Sequence, residues 1–345
     1  MNRQCSLIGM ALLVPLPGFY SPVLLHGQDS EGPQEATGPQ EPRALSLEDY
    51  VRWSTIWLVA LSADGRWMTF SYSPNDGDSR LFLRDLEASD RDPVELAVRG
   101  TGPVFSDDSE WLAYITAPSE ENGGRGTGGQ GQAASEGGTR TLHLMRLGTE
   151  EHWEVENPSS FSFSHDSRWL AVHKSRPRGE GGGRAGGGES EEQARGSDLI
   201  LRDLIDGTVT NLGNVSEVAF NEGSTHLAYL VDADGKAGNG LFVLELEEGR
   251  IRPLSTGDFL FQGLSWDESG ASLAVLRGNK PDGMVQRQNE LLTLQDLQGS
   301  VQVFKPSDSP TFPEGCVLSE FRAPSWSEDG ARVFVGIKEQ QEEFE

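Results

Sequence analysis

The sequence predicts an all-β fold, a β-propeller of four-stranded antiparallel blades with five complete blades and a partial sixth. One phrase occurs six times: an aromatic residue or Leu, then Ser or a substitute, a turn rich in Asp, Glu and Gly, and a hydrophobic strand. The copies occupy residues 61–70, 105–114, 163–172, 220–229, 266–275 and 326–335. Such a unit, recurring about every 40–45 residues, is typical of propeller blades, because one unit alone cannot bury its apolar face.

Each repeat is predicted to contain four strands. The first ends at the aromatic anchor, and a tight turn such as 62–65 follows, where Gly or Asp tolerates unusual backbone angles. The second carries an apolar run such as 111–114. The third alternates Leu with other residues, which places most of its Leu side chains on one face. These third strands are predicted at residues 81–86, 142–147, 199–204, 241–246 and 291–297. A turn follows each third strand and leads to a fourth strand, such as 208–212.

Residues 1–27 are predicted to be a signal peptide, which implies a secreted or periplasmic protein. Arg3 precedes a largely apolar stretch, and the small residue Gly27 marks a plausible cleavage point. An uncleaved membrane anchor is the alternative, but Pro15, Pro17 and Pro22 disfavour it because each removes a helix hydrogen bond. After cleavage the chain would keep Cys316 alone and could form no internal disulfide.

The rest of the chain is divided by composition. Residues 28–45, rich in Gly, Pro, Gln and Glu, are predicted to be a disordered acidic leader. Residues 46–345 form the predicted propeller, which opens with a short helix over 46–53. Two Gly-rich inserts, 119–138 and 178–196, lie between second and third strands and are predicted to be disordered loops. The sixth repeat has no third strand, so we expect an incomplete propeller from the front part of a longer protein.

The charge of the chain excludes one class of partner. The 345 residues carry a formal net charge of −26. Nucleic-acid binding requires a basic patch, so no nucleic-acid partner is expected. Beyond the signal segment, no membrane association is expected either.

No catalytic, cofactor or metal site is predicted in this chain. The Gly-x-Ser-x-Gly motif of α/β-hydrolases is absent, and the nearest candidate, Ser265, precedes a repeat anchor and is interpreted as a strand residue. The histidines show no metal-ligand spacing: they are His143, His152, His165, His173 and His226. The recurring turn carboxylates favour turn hydrogen bonds over a calcium site. These carboxylates are Asp64, Asp107, Asp108, Asp166, Glu222 and Asp329.

The repeats resemble the propeller of the prolyl oligopeptidase family of serine peptidases. The Ser-x-Asp-Gly turn, the Leu-Ala-Tyr strand and the Leu-x-Leu-x-Asp-Leu strand carry the resemblance, which spans residues 47–338. The dipeptidyl-peptidase and acylaminoacyl-peptidase branches look most similar, and TolB-like periplasmic propellers share the repeat. The family resemblance implies a non-catalytic propeller that gates the access of peptide substrates to a downstream α/β-hydrolase domain.

Several alternatives remain at this point. The chain could be a stand-alone TolB-like propeller that binds proteins in the periplasm. A sugar-acting propeller enzyme is a weaker alternative, and it would need carboxylates that converge in the central channel. Some family members bind a substrate amino terminus through a Glu pair. No role is assigned to the pairs found here, at residues 120–121, 191–192 and 247–248.

Overall fold

The computed structural model describes residues 46–343 except residues 51–52, 89, 118–138 and 177–193. The predicted signal peptide, acidic leader and first Gly-rich insert therefore lie outside the described residues, as does the second insert up to residue 193. Within the described part, no helix has the length and apolar character needed to cross a membrane.

Almost every element is a strand. Helix α1 covers Leu47–Tyr50, within the predicted helix 46–53. The strands are β1 (Ser54–Leu61), β2 (Trp67–Pro74), β3 (Arg80–Asp85), β4 (Val94–Val98), β5 (Gly100–Phe105), β6 (Trp111–Thr116), β7 (Thr141–Arg146), β8 (His152–Glu156), β9 (Pro158–Phe163), β10 (Trp169–Lys174), β11 (Ser197–Asp203), β12 (Val209–Phe220), β13 (His226–Val231), β14 (Gly240–Glu245), β15 (Arg250–Thr256), β16 (Leu260–Trp266), β17 (Leu273–Asn279), β18 (Gln288–Leu294), β19 (Gln302–Phe304), β20 (Cys316–Leu318), β21 (Ser325–Trp326), β22 (Val333–Phe334) and β23 (Ile337–Glu339). Single 3₁₀ turns occupy Asp234–Lys236 and Pro306–Asp308.

The strands form antiparallel meanders in chain order. Strands β1–β4, β5–β8 and β16–β19 each make a four-stranded sheet, and neighbouring strands are consecutive in sequence. The predicted third strands 81–86, 142–147 and 291–297 correspond to β3, β7 and β18, the third strands of these sheets, while 199–204 and 241–246 correspond to β11 and β14. The all-β class and the antiparallel four-stranded units are confirmed. The number of blades and the incompleteness of the propeller stay predictions.

Strands β9–β15 form one seven-stranded sheet, and this differs from the predicted pattern. The long strand β12 pairs with β11 through Val209 and Leu212 and with β13 through Val218 and Phe220. Between these two parts lies Asn214, whose φ of 55° is left-handed. The predicted fourth strand 208–212 and the first strand of the next repeat are therefore continuous, with register shifts in the pairing on both sides of Val215.

The sixth copy of the repeat is the most irregular. Its strands form two short pairs, β20 with β23 and β21 with β22. A backbone hydrogen bond of 2.8 Å from the Ser319 N–H to the Gly336 carbonyl lies between the two pairs. The two predicted strands are present here as interrupted segments.

Successive sheets pack face to face through apolar cores. Leu81 and Leu83 of β3 pack with Leu112 and Tyr114 of β6. The opposite face of the second sheet packs on β10. Within the seven-stranded sheet, Leu199 of β11 shares a core with Leu227 of β13. The pattern between sheets then continues to β20, through clusters that contain Leu230 with Leu273, and Leu276 with Leu318. Meanders that bury each other's faces in chain order are the arrangement of propeller blades.

The repeated turns are linked to one another by hydrogen bonds. The backbone N–H of Asp64 donates to Ser109 Oγ of the next repeat at 3.0 Å. The Asp108 N–H donates in the same way to Ser167 Oγ, and the Asp166 N–H to Ser224 Oγ, both at 3.0 Å. The three serines have left-handed φ values of 61°, 60° and 52°. This turn position therefore requires a left-handed residue, and Ser there adds a bond between sheets that Gly cannot make.

The turn carboxylates are bound within their own turns. The Ser164 hydroxyl donates to Asp166 Oδ1 at 2.6 Å. Asp64 accepts bonds from the Ser62 hydroxyl and from the Arg66 N–H. These bonds, the Ser62 hydroxyl first, hold the pKa of Asp64 below its ordinary value. Four of the predicted carboxylates thus accept turn hydrogen bonds, while Glu222 faces His165 of another turn. The four are Asp64, Asp108, Asp166 and Asp329.

The Asp64 turn predicts a stability difference that depends on pH. A carboxyl whose pKa is lowered on folding stabilises the fold above its unfolded pKa of about 3.9, and this stabilisation is lost as pH falls through the folded value. We expect Asp64→Asn to be less stable than the wild type at pH 6, with the gap closing below about pH 4. Urea unfolding at several pH values measures the gap. Ser62→Ala should show the same trend, and a gap that is equal at pH 3 and pH 6 would contradict this role.

Candidate functional site

A groove on the sheet β16–β19 is the candidate binding site. It has a volume of about 750 Å³ and lies between Phe259, the adjoining ends of β17 and β18, and the segment 305–317. Phe312 and Cys316 contribute to its wall, and Asn279 and Gln288 contribute polar groups. A concave site of about 300–1,000 Å³ with apolar walls and a few polar groups is typical of ligand sites.

Two lysines of the groove are held in ion pairs. Lys305 Nζ lies 3.3 Å from Glu290 Oε1, and Lys280 pairs with Glu343. Arg277 also donates to Glu290 Oε2, from Nε at 2.9 Å and from Nη2 at 2.8 Å. The groove therefore offers neutral amides and paired charges, which suits hydrogen bonding to a polar chain better than binding a strong anion.

The described lining of the groove contains no serine–histidine or cysteine–histidine pair. Ser307, Ser309 and Cys316 line it, but none of the described lining residues is a histidine. A hydroxyl or thiol nucleophile needs an adjacent base. The described lining therefore offers groups that can bind a ligand.

One serine and one histidine do meet elsewhere. Ser197 Oγ lies 3.1 Å from His173 Nε2. However, His173 Nε2 is 2.7 Å from the Val215 carbonyl, so this nitrogen carries the proton and donates it there. The Ser197 hydroxyl donates to the Lys174 carbonyl. Because the imidazole nitrogen that faces the serine is already protonated, the pair ties strands together and cannot act as nucleophile and base.

The remaining predicted residues take separate positions. Ser265 lies in β16, and its hydroxyl is 3.5 Å from the Trp266 carbonyl. Glu247 and Glu248 lie in the hairpin turn between β14 and β15, while the other two Glu pairs fall outside the described residues. No two of these groups are brought together by the fold.

The fold does bring together two histidines and a carboxylate that sequence spacing leaves apart. They are His143 on β7 with His152 and Glu154 on β8. Burial lowers the pKa of His143, while Glu154 opposes this effect. Burial, with a smaller effect of Glu154, raises the pKa of the neighbouring Tyr114 to about 12. A hairpin register drawn on the predicted strands could have found this cluster, because His143 and Glu154 are direct cross-strand partners.

Comparisons with known proteins give structural matches alone. No protein-family model and no curated protein matches the sequence. Among solved structures the chain is similar to a prolyl endopeptidase, with 15% identity and a TM-score of 0.42, over 85% of this chain and 43% of that one. It is also similar to the propeller domain of the Trilobed protease from Pyrococcus furiosus (13% identity, TM-score 0.40, 84% of this chain and 79% of that one). TolB from Acinetobacter baumannii is a third match (14% identity, TM-score 0.32, 72% and 56%).

The structural matches thus include a prolyl endopeptidase and TolB, which are kinds of protein that the repeats resemble. The chain spans less than half the length of the prolyl endopeptidase that it matches.

Proposed function

We propose that this chain is the non-catalytic propeller part of a secreted prolyl oligopeptidase-like serine peptidase. Its role would be to gate the access of peptides to an α/β-hydrolase domain that lies outside these residues. The observation that carries the proposal is the succession of four-stranded meanders, packed face to face and linked through their Ser-x-Asp turns. The turn and strand phrases that build this scaffold are those by which the sequence resembles the family's propeller.

Two observations on the described residues favour a gating role over a catalytic one. In the Ser197–His173 pair both groups donate to backbone carbonyls, and none of the described residues that line the groove near Phe312 is a histidine. The groove is of a size to hold a short extended peptide. A scaffold with a polar groove and no reactive pair fits selection of a substrate that another domain cleaves.

Fluorophosphonate labelling tests whether the reactive serine lies in this chain or in the proposed hydrolase domain. We expect the isolated chain to remain unlabelled and to leave chromogenic dipeptides intact, since it supplies no activated serine. The protein made from the complete reading frame should be labelled, at a Gly-x-Ser-x-Gly serine beyond residue 345. A labelled isolated chain would contradict the proposal. So would a complete reading frame with no hydrolase domain, and that result would favour the stand-alone protein-binding alternative.

Gating is tested by comparing substrates of different size. The complete protein should cleave a chromogenic peptide but leave unfolded casein intact, because the propeller admits short peptides alone. A variant without residues 46–345 should lose this discrimination if its hydrolase domain remains folded and labelled. If the labelled variant still rejects casein, the propeller does not gate.

A further inference from the structure

The hairpin of β7 and β8 carries a cluster with the composition of a transition-metal site. Antiparallel pairing places Tyr114, His143 and Glu154 side by side across three strands. His152 lies two residues before Glu154 and therefore points to the same face of the sheet. The side chain of His143 is 17% exposed, against 42% for His152 and 53% for Glu154. His143 thus lies on the inner, less exposed side of the cluster, and His152 and Glu154 lie on the side that faces solvent.

The ligand atoms already lie at the spacing of a metal's coordination sphere. His143 Nδ1 is 3.1 Å from Glu154 Oε1 and 3.3 Å from His152 Nε2. One ligand atom from each of the three residues lies within 4.8 Å of the others. Tetrahedral zinc with bonds of about 2.0–2.1 Å separates its ligands by about 3.3 Å. The two distances from His143 Nδ1, to Glu154 Oε1 and to His152 Nε2, are therefore close to the ligand separation around zinc.

The imidazole of His143 is fixed by its surroundings. Its Nε2 lies 3.0 Å from Thr116 Oγ1, whose hydroxyl is within 3.4 Å of the Thr141 carbonyl. The ring stacks on Tyr114 at 5.0 Å and on His152 at 5.4 Å. A hydrogen bond to the nitrogen that does not bind the metal is the usual means of orienting a metal-bound histidine. Here it directs Nδ1 toward the other two ligand atoms.

The donor set selects the kind of ion. Two imidazole nitrogens and one carboxylate oxygen suit zinc and its transition-metal neighbours, whereas calcium and magnesium prefer oxygen ligands. We propose that His143, His152 and Glu154 bind one divalent ion of the zinc class. Three protein ligands leave a fourth position, on the solvent side, for water. The bound ion would cross-link the β7–β8 hairpin.

Zinc titration by calorimetry tests the site on the purified chain with any affinity tag removed. We expect one zinc ion per chain and a higher unfolding temperature in its presence, because an ion that binds the folded state alone stabilises it. His152→Ala and Glu154→Gln should each weaken binding by at least about tenfold, a loss of about 1.4 kcal/mol. Both positions are exposed, so the apo variants should unfold as the wild type does.

Two matched variants make the result specific. His165 faces Glu222 at 3.5 Å but belongs to no group of three potential ligands among the described residues, so His165→Ala should bind zinc like the wild type. Cys316→Ser removes the free thiol, and this variant should also bind zinc like the wild type. Cobalt(II) should show visible absorption that disappears in His152→Ala, and excess calcium should not displace it. No zinc binding, binding unchanged in both ligand variants, or displacement by calcium would each overturn the proposal.

Discussion

Leu144→Ala is expected to destabilise the chain by about 2–5 kcal/mol. Leu144 lies on β7 with no exposed surface, in a core shared with Leu170 and Val172 of the next sheet. Truncation removes apolar contacts and leaves a cavity that two sheets would have to close together. Sheets held by their own hydrogen bonds collapse poorly around such a void, so the cost should lie in the upper part of the range.

Denaturant unfolding of Leu144→Ala beside Leu61→Ala checks this expectation. The control makes the same substitution at a strand residue that is 58% exposed, and it should change stability by less than about 0.5 kcal/mol. Equal losses in the two variants would mean that the cores between sheets do not dominate the stability of the fold.

Gly278→Ala is expected to be the second severe change, with a cost of about 1–3 kcal/mol. A Cβ at Gly278 would lie 2.3 Å from the Gln288 carbonyl oxygen and 2.8 Å from the Asn289 Cα. These are backbone atoms of the paired strand β18, so relief requires the ladder itself to separate. Asn279 and Asn289 line the groove, and the same shift would distort it.

Gly213→Ala provides the matched control in β12. There the nearest heavy atom to an added Cβ is Asp198 Oδ1 at 3.9 Å, which is an ordinary contact. Replacing Gly where the side chain fits is neutral or stabilises by up to about 1 kcal/mol, because the unfolded chain loses freedom. Similar thermal unfolding of the two variants would show that β17 and β18 are not closely paired at Gly278.

Much of the fold follows from local pattern. Period-two alternation in segments such as 142–147 predicts strands, and the Ser-x-Asp turns predict where chain reversals occur. The continuity of β12 could not be predicted in this way, because Arg99 and Asn157 have left-handed φ values like that of Asn214 and yet lie between separate strands. Likewise, the short pairs β20–β23 and β21–β22 interrupt strands that the repeat alone suggests are continuous.

The candidate sites were less accessible to sequence reasoning. The groove brings together β17, β18, the loop 305–317 and Phe259, which no linear motif connects. The residues of the zinc-class cluster are nine and two positions apart within a hairpin, and they become neighbours through the register of β7 with β8. Conversely, the contact between Ser197 and His173 has a structural role. Only the tertiary structure shows this, because it places the Val215 carbonyl 2.7 Å from His173 Nε2.

The amino-acid sequence by itself determined the strands, the turns and the repeat, because alternation and turn chemistry act over a few residues and need no distant partner. Only the tertiary structure decided which faces bury one another, where the groove lies, and that His143, His152 and Glu154 share one surface. The physical reason is that pairing register and sheet packing depend on contacts between residues far apart in the chain, where a shift of one residue would turn every side chain to the opposite face.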